Sequence, residues 1–520
     1  MGIAGSFFNV ARAYKDHVAV QAQNKELTFG ALAQNVSRLS NALAGLGLRP
    51  GDVVGGIMPN RPELVELDLA CSAGGYIRTL LNSRAPADDY VYCLNFAEAK
   101  ILVFDQSLLE TIDGIRDQLN VRRYICVGGK APWAEEYSSL LSKASTNFAP
   151  FDVDASTPHS IYFTSGTTGK PKGVLLSHGN WIRIAYCHAA ELDPNGESGD
   201  VALLAAPMTH ATGSLVVPSL LRGSSILLMD HFDPDQVAHY MAESGVTSTF
   251  MAPTMIQLLM QHVTRSRAEA FRMKCLMYGG ASFPTNRLQE ALDLFGPVMV
   301  QGYGQWESPI AVSVLSRSDH VDGLRDRPQI LASGGRATMF ADLAILDDDG
   351  NRLPPNVEGE ICTSGPQLMI GYLKNAAATN EIRVGGWQRT GDVGYLDEAG
   401  YVYITDRKKD MIITGGMNVY PRQIEEVLYT HPAVEEACVV GIPDELWGET
   451  VHAVVVRKKD RTLAEHEFLD WAKRHLPNDR RPRSVRFVST LPKSNYGKIL
   501  RREVRDQERA GPQEARLSVT

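Results

Sequence analysis

Between Tyr162 and Gly173 the chain reads YFTSGTTGKPKG. Four hydroxyl residues (Thr164, Ser165, Thr167, Thr168), three glycines (Gly166, Gly169, Gly173) and two lysines (Lys170, Lys172) fall in this stretch. Glycine lets a backbone turn tightly and approach a ligand closely. Successive backbone N–H groups form a concave anion site, hydroxyls add donors, and ammonium groups add point charge for phosphate. The composition suits a polyphosphate. It is not the common P-loop, which places four residues between its first glycine and the Gly-Lys pair and follows the lysine with Ser or Thr. Here Gly166 and Gly169 are too close, and Pro171 follows Lys170. A Ser/Thr/Gly stretch on its own is an ordinary surface turn; the ordered alternation with two lysines favours the phosphate reading.

Other residues of chemical interest lie downstream. His210 stands among small residues in APMTHATGS, where a lone histidine is more often structural than functional. Tyr278–Ser282 (YGGAS) leaves an apolar run into glycines, against which a flat ring can lie. Gly302–Glu307 (GYGQWE) holds a stacking ring at Tyr303 and a carboxylate at Glu307, which without context would be a solvated loop acid. Asp392, in Gln388–Asp392 (QRTGD), suits two ribose hydroxyls. Lys498 sits on a glycine turn before a basic helix in LPKSNYGKILRRE, where a charge run alone would be a solvated face.

These stretches, in this order and over nearly the whole chain, resemble the acyl-adenylating superfamily: acyl-CoA synthetases, aryl-CoA ligases, adenylation domains and beetle luciferases, with acyl-CoA synthetases the nearest. The resemblance implies a ligase with two half-reactions. A carboxylate attacks the α-phosphorus of ATP and expels pyrophosphate; a thiol then attacks the acyl-adenylate and expels AMP. It implies ATP, Mg²⁺ and coenzyme A as cofactors, and a small-molecule carboxylic acid as substrate. Lys498 would bridge carboxylate and α-phosphate. Thr164, Ser165, Gly166, Thr167, Thr168, Gly169, Lys170 and Lys172 would hold the β- and γ-phosphates, with Thr168 in the catalytic set. Glu307 would hold Mg²⁺. Gly280, Ala281, Ser282, Gln301, Gly302, Tyr303, Gly304 and Trp306 would surround the nucleotide. Asp392 would take the ribose, and Arg407 the ribose or phosphate.

His210 would gate an acyl pocket lined by Thr212, Gly213, Tyr278 and Gly279, with room for a medium-chain or aromatic acid. One lid cannot present Lys498 and also open a thiol tunnel, so the lid must move; the resemblance puts the pivot at Lys409 and part of the pantetheine tunnel at Gly415, Gly416 and Asn418. Trp306 departs from the pattern, which has Thr there. Indole offers one donor and no acceptor. Either its N–H replaces the hydroxyl while the ring walls the acyl pocket, or the ring points away. The alternative functions are loading of a separate carrier protein, a luciferase-like oxygenase, and a nucleotide-binding protein without catalysis. Lys498, Glu307 and Asp392 argue against the last.

The elements that must position these residues follow an α/β layer pattern. Leu27–Leu48 has helical spacing. Asp52–Met58, Lys100–Phe104, Ser160–Phe163, Val201–Leu204, Ser225–Leu228, Ser248–Met251, Lys274–Tyr278 and Pro297–Gln301 read as buried strands. Leu175–Cys187 reads as a helix. With 520 residues, several subdomains are expected. The resemblance implies a large N-terminal region (1–408) of two doubly wound α/β subdomains plus a small β-barrel. A small, mobile α+β C-terminal lid (409–520) follows. A net charge of −8 argues against a general nucleic-acid binder. No apolar run is long enough for a membrane span, and no signal peptide is evident. Seven scattered cysteines without a CxxC pair read as reduced core thiols of a cytoplasmic protein. The oligomeric state is left open, a homodimer among the options.

Overall fold

The computed structural model describes residues 2–22, 25–164, 170–478, 480–493 and 499–509. Five of the phosphate-stretch residues (Ser165, Gly166, Thr167, Thr168, Gly169) and Lys498 lie outside these. The chain divides into two compact units: 1–280, 291–343 and 363–388 form the first, and 281–290, 344–362 and 389–520 the second. The expected boundary at Lys409 lies within the second.

Two sheets build the first unit. In one, the strands run in the order Arg336–Ala337, Ser308–Leu315, Met299–Gln305, Cys275–Gly279, Val246–Met251, Val201–Leu204, Ser225–Leu228, Val18–Ala22 and Lys25–Thr28. Its central pairs, from Met299–Gln305 to Ser225–Leu228, are parallel. In the other the order is Gly371–Tyr372, Lys172–Ser177, Pro158–Thr164, Ile77–Leu81, Val53–Ile57, Ala99–Asp105, Arg123–Val127 and Glu135–Glu136. Pro62–Gly74 connects the parallel strands Val53–Ile57 and Ile77–Leu81, as a crossover in a parallel sheet requires, while Phe29–Gly45 leads from one sheet to the other. Burial on both faces explains the continuous apolar runs: all five residues of Val53–Ile57 and of Cys275–Gly279 are buried.

Most expected strands appear within a residue or two, and three local differences have physical causes. Leu175 and Leu176 are strand, not helix: Lys172–Ser177 pairs antiparallel with Pro158–Thr164, and the helix starts at His178. Ser177 caps it, its hydroxyl accepting from Asn180 N at 3.1 Å while Asn180 Oδ1 accepts from Ser177 N at 2.8 Å. The helix expected from Leu27 starts at Phe29, because the Thr28 hydroxyl accepts from Ala31 N at 3.2 Å. The strand expected at Pro297–Gln301 runs Met299–Gln305 and returns antiparallel as Ser308–Leu315, so most of GYGQWE is strand and Trp306–Glu307 is the turn.

Trp387–Leu396 pairs antiparallel with Val402–Arg407 in a sheet that also includes Gly359–Ser364 and Asp342–Leu346, most of whose residues belong to the second unit. Further along, Val434–Asp444 and Gly448–Arg457 form a long antiparallel pair, with Ser484–Val488 parallel to the latter and the hairpin Ile412–Thr414/Met417–Val419 beyond. Helices Pro421–Leu428 and Glu465–His475 bury Ile424, Leu428, Phe468 and Ala472 in its core. This is the expected α+β module. Among the described residues, no helix is long and apolar enough to cross a membrane.

Two predictions follow from packing in the first unit. Burial holds the His178 and His320 imidazoles down to about 4 and His188 to about 3, with His159 lowered as well. Unfolded, each binds a proton below about pH 6.5. The unfolded state therefore binds more protons in the window from pH 6.5 down to about 4, and stability falls as pH falls through it. The unfolding midpoint should drop between pH 7 and pH 5 and be level above 7; a flat profile would refute this. Separately, a Cβ on Gly279 would lie 2.3 Å from Gly302 O on the paired strand. Gly279→Ala should cost about 1–3 kcal/mol, the usual range for overpacking, seen as a lower denaturation midpoint.

Candidate active site

The parallel strands Cys275–Gly279 and Met299–Gln305 bring Gly279 opposite Gly302. Two bare backbones lie side by side, and Gly280 turns away with φ of 77°, a conformation that favours glycine. Gln301, Gly302, Tyr303 and Gly304 follow along the second strand, all partly exposed. Tyr278 differs: it is fully buried. His320 Nδ1 is committed to Ser316 O at 2.7 Å, so its Nε2 accepts from the Tyr278 hydroxyl at 2.9 Å. Burial keeps that imidazole neutral and pushes the phenol pKa up. Ala281 and Ser282 fall in the second unit.

The turn that follows carries the carboxylate. Glu307 Oε1 accepts from the Tyr372 hydroxyl at 2.9 Å. Its carbonyl accepts from Met369 N at 3.0 Å and Gln388 Nε2 at 2.8 Å, which fixes the turn. Lys172 Nζ lies 4.9 Å from the centre of the Tyr372 ring, and Lys170 Nζ 5.5 Å from that of Tyr92. Glu307, Tyr372 and Lys172 thus form one cluster. Next to Glu307, the Trp306 indole lies flat on Tyr162, ring centres 3.6 Å apart and planes 11° from parallel. Below it, buried Arg78 donates to the Tyr162 hydroxyl at 2.9 Å and pairs with Asp68.

His210 precedes the short helix Ala211–Leu215. Its Nδ1 is 2.9 Å from Thr209 Oγ1, and burial lowers its pKa to about 4, leaving a neutral ring at physiological pH. Thr212 and Gly213 are buried beside it. Asn60 fixes the approach to this segment. It donates to Ala206 O at 2.8 Å and Met229 O at 2.9 Å, and accepts from Met208 N at 2.8 Å.

In the second unit, Asp392 stands opposite Arg407 in register, and its Oδ1 meets Arg407 Nε at 2.6 Å. Asp392 is buried while Arg407 is substantially exposed. Lys409 lies in the short helix Lys408–Asp410, its ammonium pKa lowered by burial. Gly415 and Gly416 turn the hairpin with φ of 56° and 78°, and Gly415 N donates to Trp447 O at 2.9 Å. Asn418 pairs with Ile413 across it.

The structure thus gathers Lys172, Glu307, Trp306 and the Gly279–Gly304 strand ends in one unit, and Asp392, Arg407, Lys409 and Gly415–Asn418 in the other. Sequence reasoning missed Tyr372, Asn60, Gln388 and Arg78. For Arg78 a signal existed: a lone cation inside the apolar run YIRTLL needs a buried partner. A magnesium ion fits Glu307 only as a shared ligand. Among the described residues no group of three His, Cys, Asp or Glu could hold a metal, and Mg²⁺ commonly binds through one or two carboxylates plus substrate phosphates.

Residues 7–373 match the AMP-binding enzyme family, and residues 423–498 match the AMP-binding enzyme C-terminal domain. The chain is 35% identical over 499 residues to a feruloyl-CoA synthase of Amycolatopsis sp, covering 95% of this chain and 96% of that protein. It is 33% identical over 494 residues to the medium/long-chain-fatty-acid–CoA ligase FadD8 of Mycobacterium tuberculosis, covering 92% and 85%. Among solved structures, ATP-bound MatB from Rhodopseudomonas palustris superposes with a TM-score of 0.88 at 28% identity, covering 98% of this chain and 99% of that one. With both family matches in place and the fold shared, the chain belongs to the AMP-binding enzymes, the acyl-adenylating superfamily, near its acyl-CoA synthetases.

Proposed function

We propose that this AMP-forming ligase takes a planar, aromatic or conjugated carboxylic acid and joins it to coenzyme A through an acyl-adenylate. The observation that carries the substrate class is the Trp306 indole, laid flat on Tyr162 beside Glu307. Stacked on Tyr162, the indole leaves a flat aromatic wall, which suits a flat acid better than a flexible chain. The feruloyl-CoA synthase relative supports this reading.

Adenylation brings a carboxylate and a triphosphate together, so positive charge must gather at the reacting centre. Lys498 bridges the acid and the α-phosphate. Thr164–Lys172 supplies backbone donors, hydroxyls and the Lys170 and Lys172 ammonium groups to the β- and γ-phosphates. Glu307, oriented by Tyr372, would hold magnesium, which would supply charge to screen the phosphates. Asp392 accepts from the ribose hydroxyls and Arg407 flanks it. Neutral His210 borders the acid pocket. Presenting Lys498 to the acid and admitting the thiol are alternate states of one lid, which turns at Lys409 and opens a passage past Gly415, Gly416 and Asn418. The reaction belongs in the cytoplasm: all seven cysteines are buried and unpaired, as a reducing compartment allows.

Pyrophosphate release over a graded panel of aromatic, cinnamic-type and alkyl acids, with and without CoA, tests the reading. Planar acids should lead, and the thioester should form only with CoA. Turnover unaffected by CoA would favour loading of a carrier protein. Lys498→Ala should lower adenylation by orders of magnitude, because its charge acts mainly in the transition state, while thioester formation from presynthesised acyl-adenylate persists. Equal loss of both steps would remove Lys498 from that role. Trp306→Thr should shift the preference order toward larger and alkyl acids; an unchanged order with only the rate altered would take Trp306 out of the acid pocket.

A further inference from the structure

Arg78 occupies an unusual place. It lies on the strand Ile77–Leu81, in the middle of a sheet, with its side chain 1% exposed. Its charge is met by Asp68 from the helix Pro62–Gly74, itself buried. Burying an ion pair rarely stabilises a fold better than apolar side chains of the same volume would, so geometry is the better reason for this one. The guanidinium has a forked donor set. One edge serves Asp68, while Nη1 donates to the Tyr162 hydroxyl at 2.9 Å. Its carbon lies 5.3 Å from the Tyr162 ring centre and 4.8 Å from that of Trp181. Trp181 is in turn fixed by donation from its Nε1 to Ser160 Oγ at 2.9 Å.

Tyr162 is therefore held at both ends. Its backbone lies in Pro158–Thr164, paired across to Val174, and its hydroxyl is tied to Arg78. A phenol fixed at two points cannot slide or tilt, and it offers one plane. Trp306 lies on that plane at 3.6 Å, in the turn that carries Glu307. Trp306 also packs against the core cluster to which Tyr162 belongs, and Tyr162 is the ring it meets face to face, so Tyr162 sets the plane of its outer surface.

We propose that Arg78 and Tyr162 are positioning residues that fix the Trp306 indole as a rigid wall, and that the selection of planar over flexible acids is set by this column from beneath the site. The inference rests on the reading of Trp306 given above. Neither Arg78 nor Tyr162 is asked to touch the acid.

The test is a double-mutant cycle on the full-length enzyme. Tyr162→Phe keeps the ring and removes the hydroxyl; Arg78→Lys keeps the charge facing Asp68 and loses the fork, so it serves if Tyr162→Phe is poorly folded. Each is made alone and with Trp306→Thr. Two readouts are taken: the near-ultraviolet circular dichroism attributable to Trp306, from the difference with and without Trp306→Thr, and the ratio of kcat/KM for a planar acid (a cinnamic-type acid) to that for an alkyl acid of similar length. Tyr162→Phe should alter the Trp306 spectrum and lower the ratio about tenfold or more, the size of one lost hydrogen bond to a charged group, through KM for the acid and with KM for ATP held. In the Trp306→Thr background it should leave the ratio alone. An unchanged Trp306 spectrum, or the same loss of ratio in both backgrounds, would overturn the inference. If Trp306→Thr alone leaves the preference order intact, the substrate reading fails instead, and the spectrum still decides whether the column positions the ring.

Discussion

A buried guanidinium must be paired and its donors used, or the fold does not tolerate it. Arg78 meets that constraint with Asp68 and Tyr162, and much of the first unit is arranged accordingly. Asp68 lies on a helix buried along nearly its whole length, Leu64 to Gly74, so the helix is clamped between layers. Arg78 stands in register with Ser160, whose hydroxyl takes the Trp181 indole N–H. Ser72, one turn beyond Asp68, meets His159 Nε2 at 2.6 Å. Helix, strand and aromatic column are thereby fixed beneath the strand that leads into the phosphate stretch. The same strand pairs, through Thr164 and Lys172, with the one that follows that stretch. The interior charge thus helps position the chemistry above it without taking part.

The legible part of this protein was local. Apolar runs bounded by glycine and proline gave the parallel strands, because a strand buried on both faces leaves a continuous signature. The family was legible in the stretches that resemble its motifs, because hydroxyls, glycines and charges are dense there. The missed contacts join residues far apart in sequence. Tyr372 reaches Glu307 and Arg78 reaches Tyr162, and no periodicity announces either. Tyr278 shows the limit within one motif: YGGAS marks a glycine turn correctly, but its tyrosine is fully buried and bound to His320. The Ser177–Asn180 cap was local and could have been read; the apolar pair Leu175–Leu176 drew the helix start forward instead.

Trp306 illustrates how a departure from a pattern is absorbed. Indole in place of a small hydroxyl residue adds volume and removes an acceptor. The volume is accommodated by laying the ring against an aromatic already present, not by opening the core, and its neighbour Glu307 keeps its carbonyl bonds to Met369 and Gln388. The substitution therefore changes the surface above Tyr162 more than the turn that carries it.

In the reading proposed above, the second unit carries the opposite requirement, since a lid would have to be released as well as held. The proposed pivot at Lys409 has Asp406 before it and Arg422, Arg501 and Arg505 after it. Asp406 accepts from Arg422 N at 2.8 Å and Arg501 Nη1 at 3.2 Å; Arg422 Nη1 donates to Ile404 O at 2.8 Å, and Arg505 to Lys409 O at 3.4 Å. Arg501 also grips Glu425, which is buried and whose carboxyl pKa is raised by desolvation. Hydrogen bonds to charged groups contribute about 1.5–3 kcal/mol each, so the bonds spanning the pivot would favour the arrangement in which they form. Rotation exchanges them for water or for new partners. A ligand shifts such an equilibrium only by its difference in affinity for the two states. In the proposed reaction, pyrophosphate departure and thiol arrival would change what such a lid faces, and each would have to outweigh the hold that Asp406 keeps on the arginines.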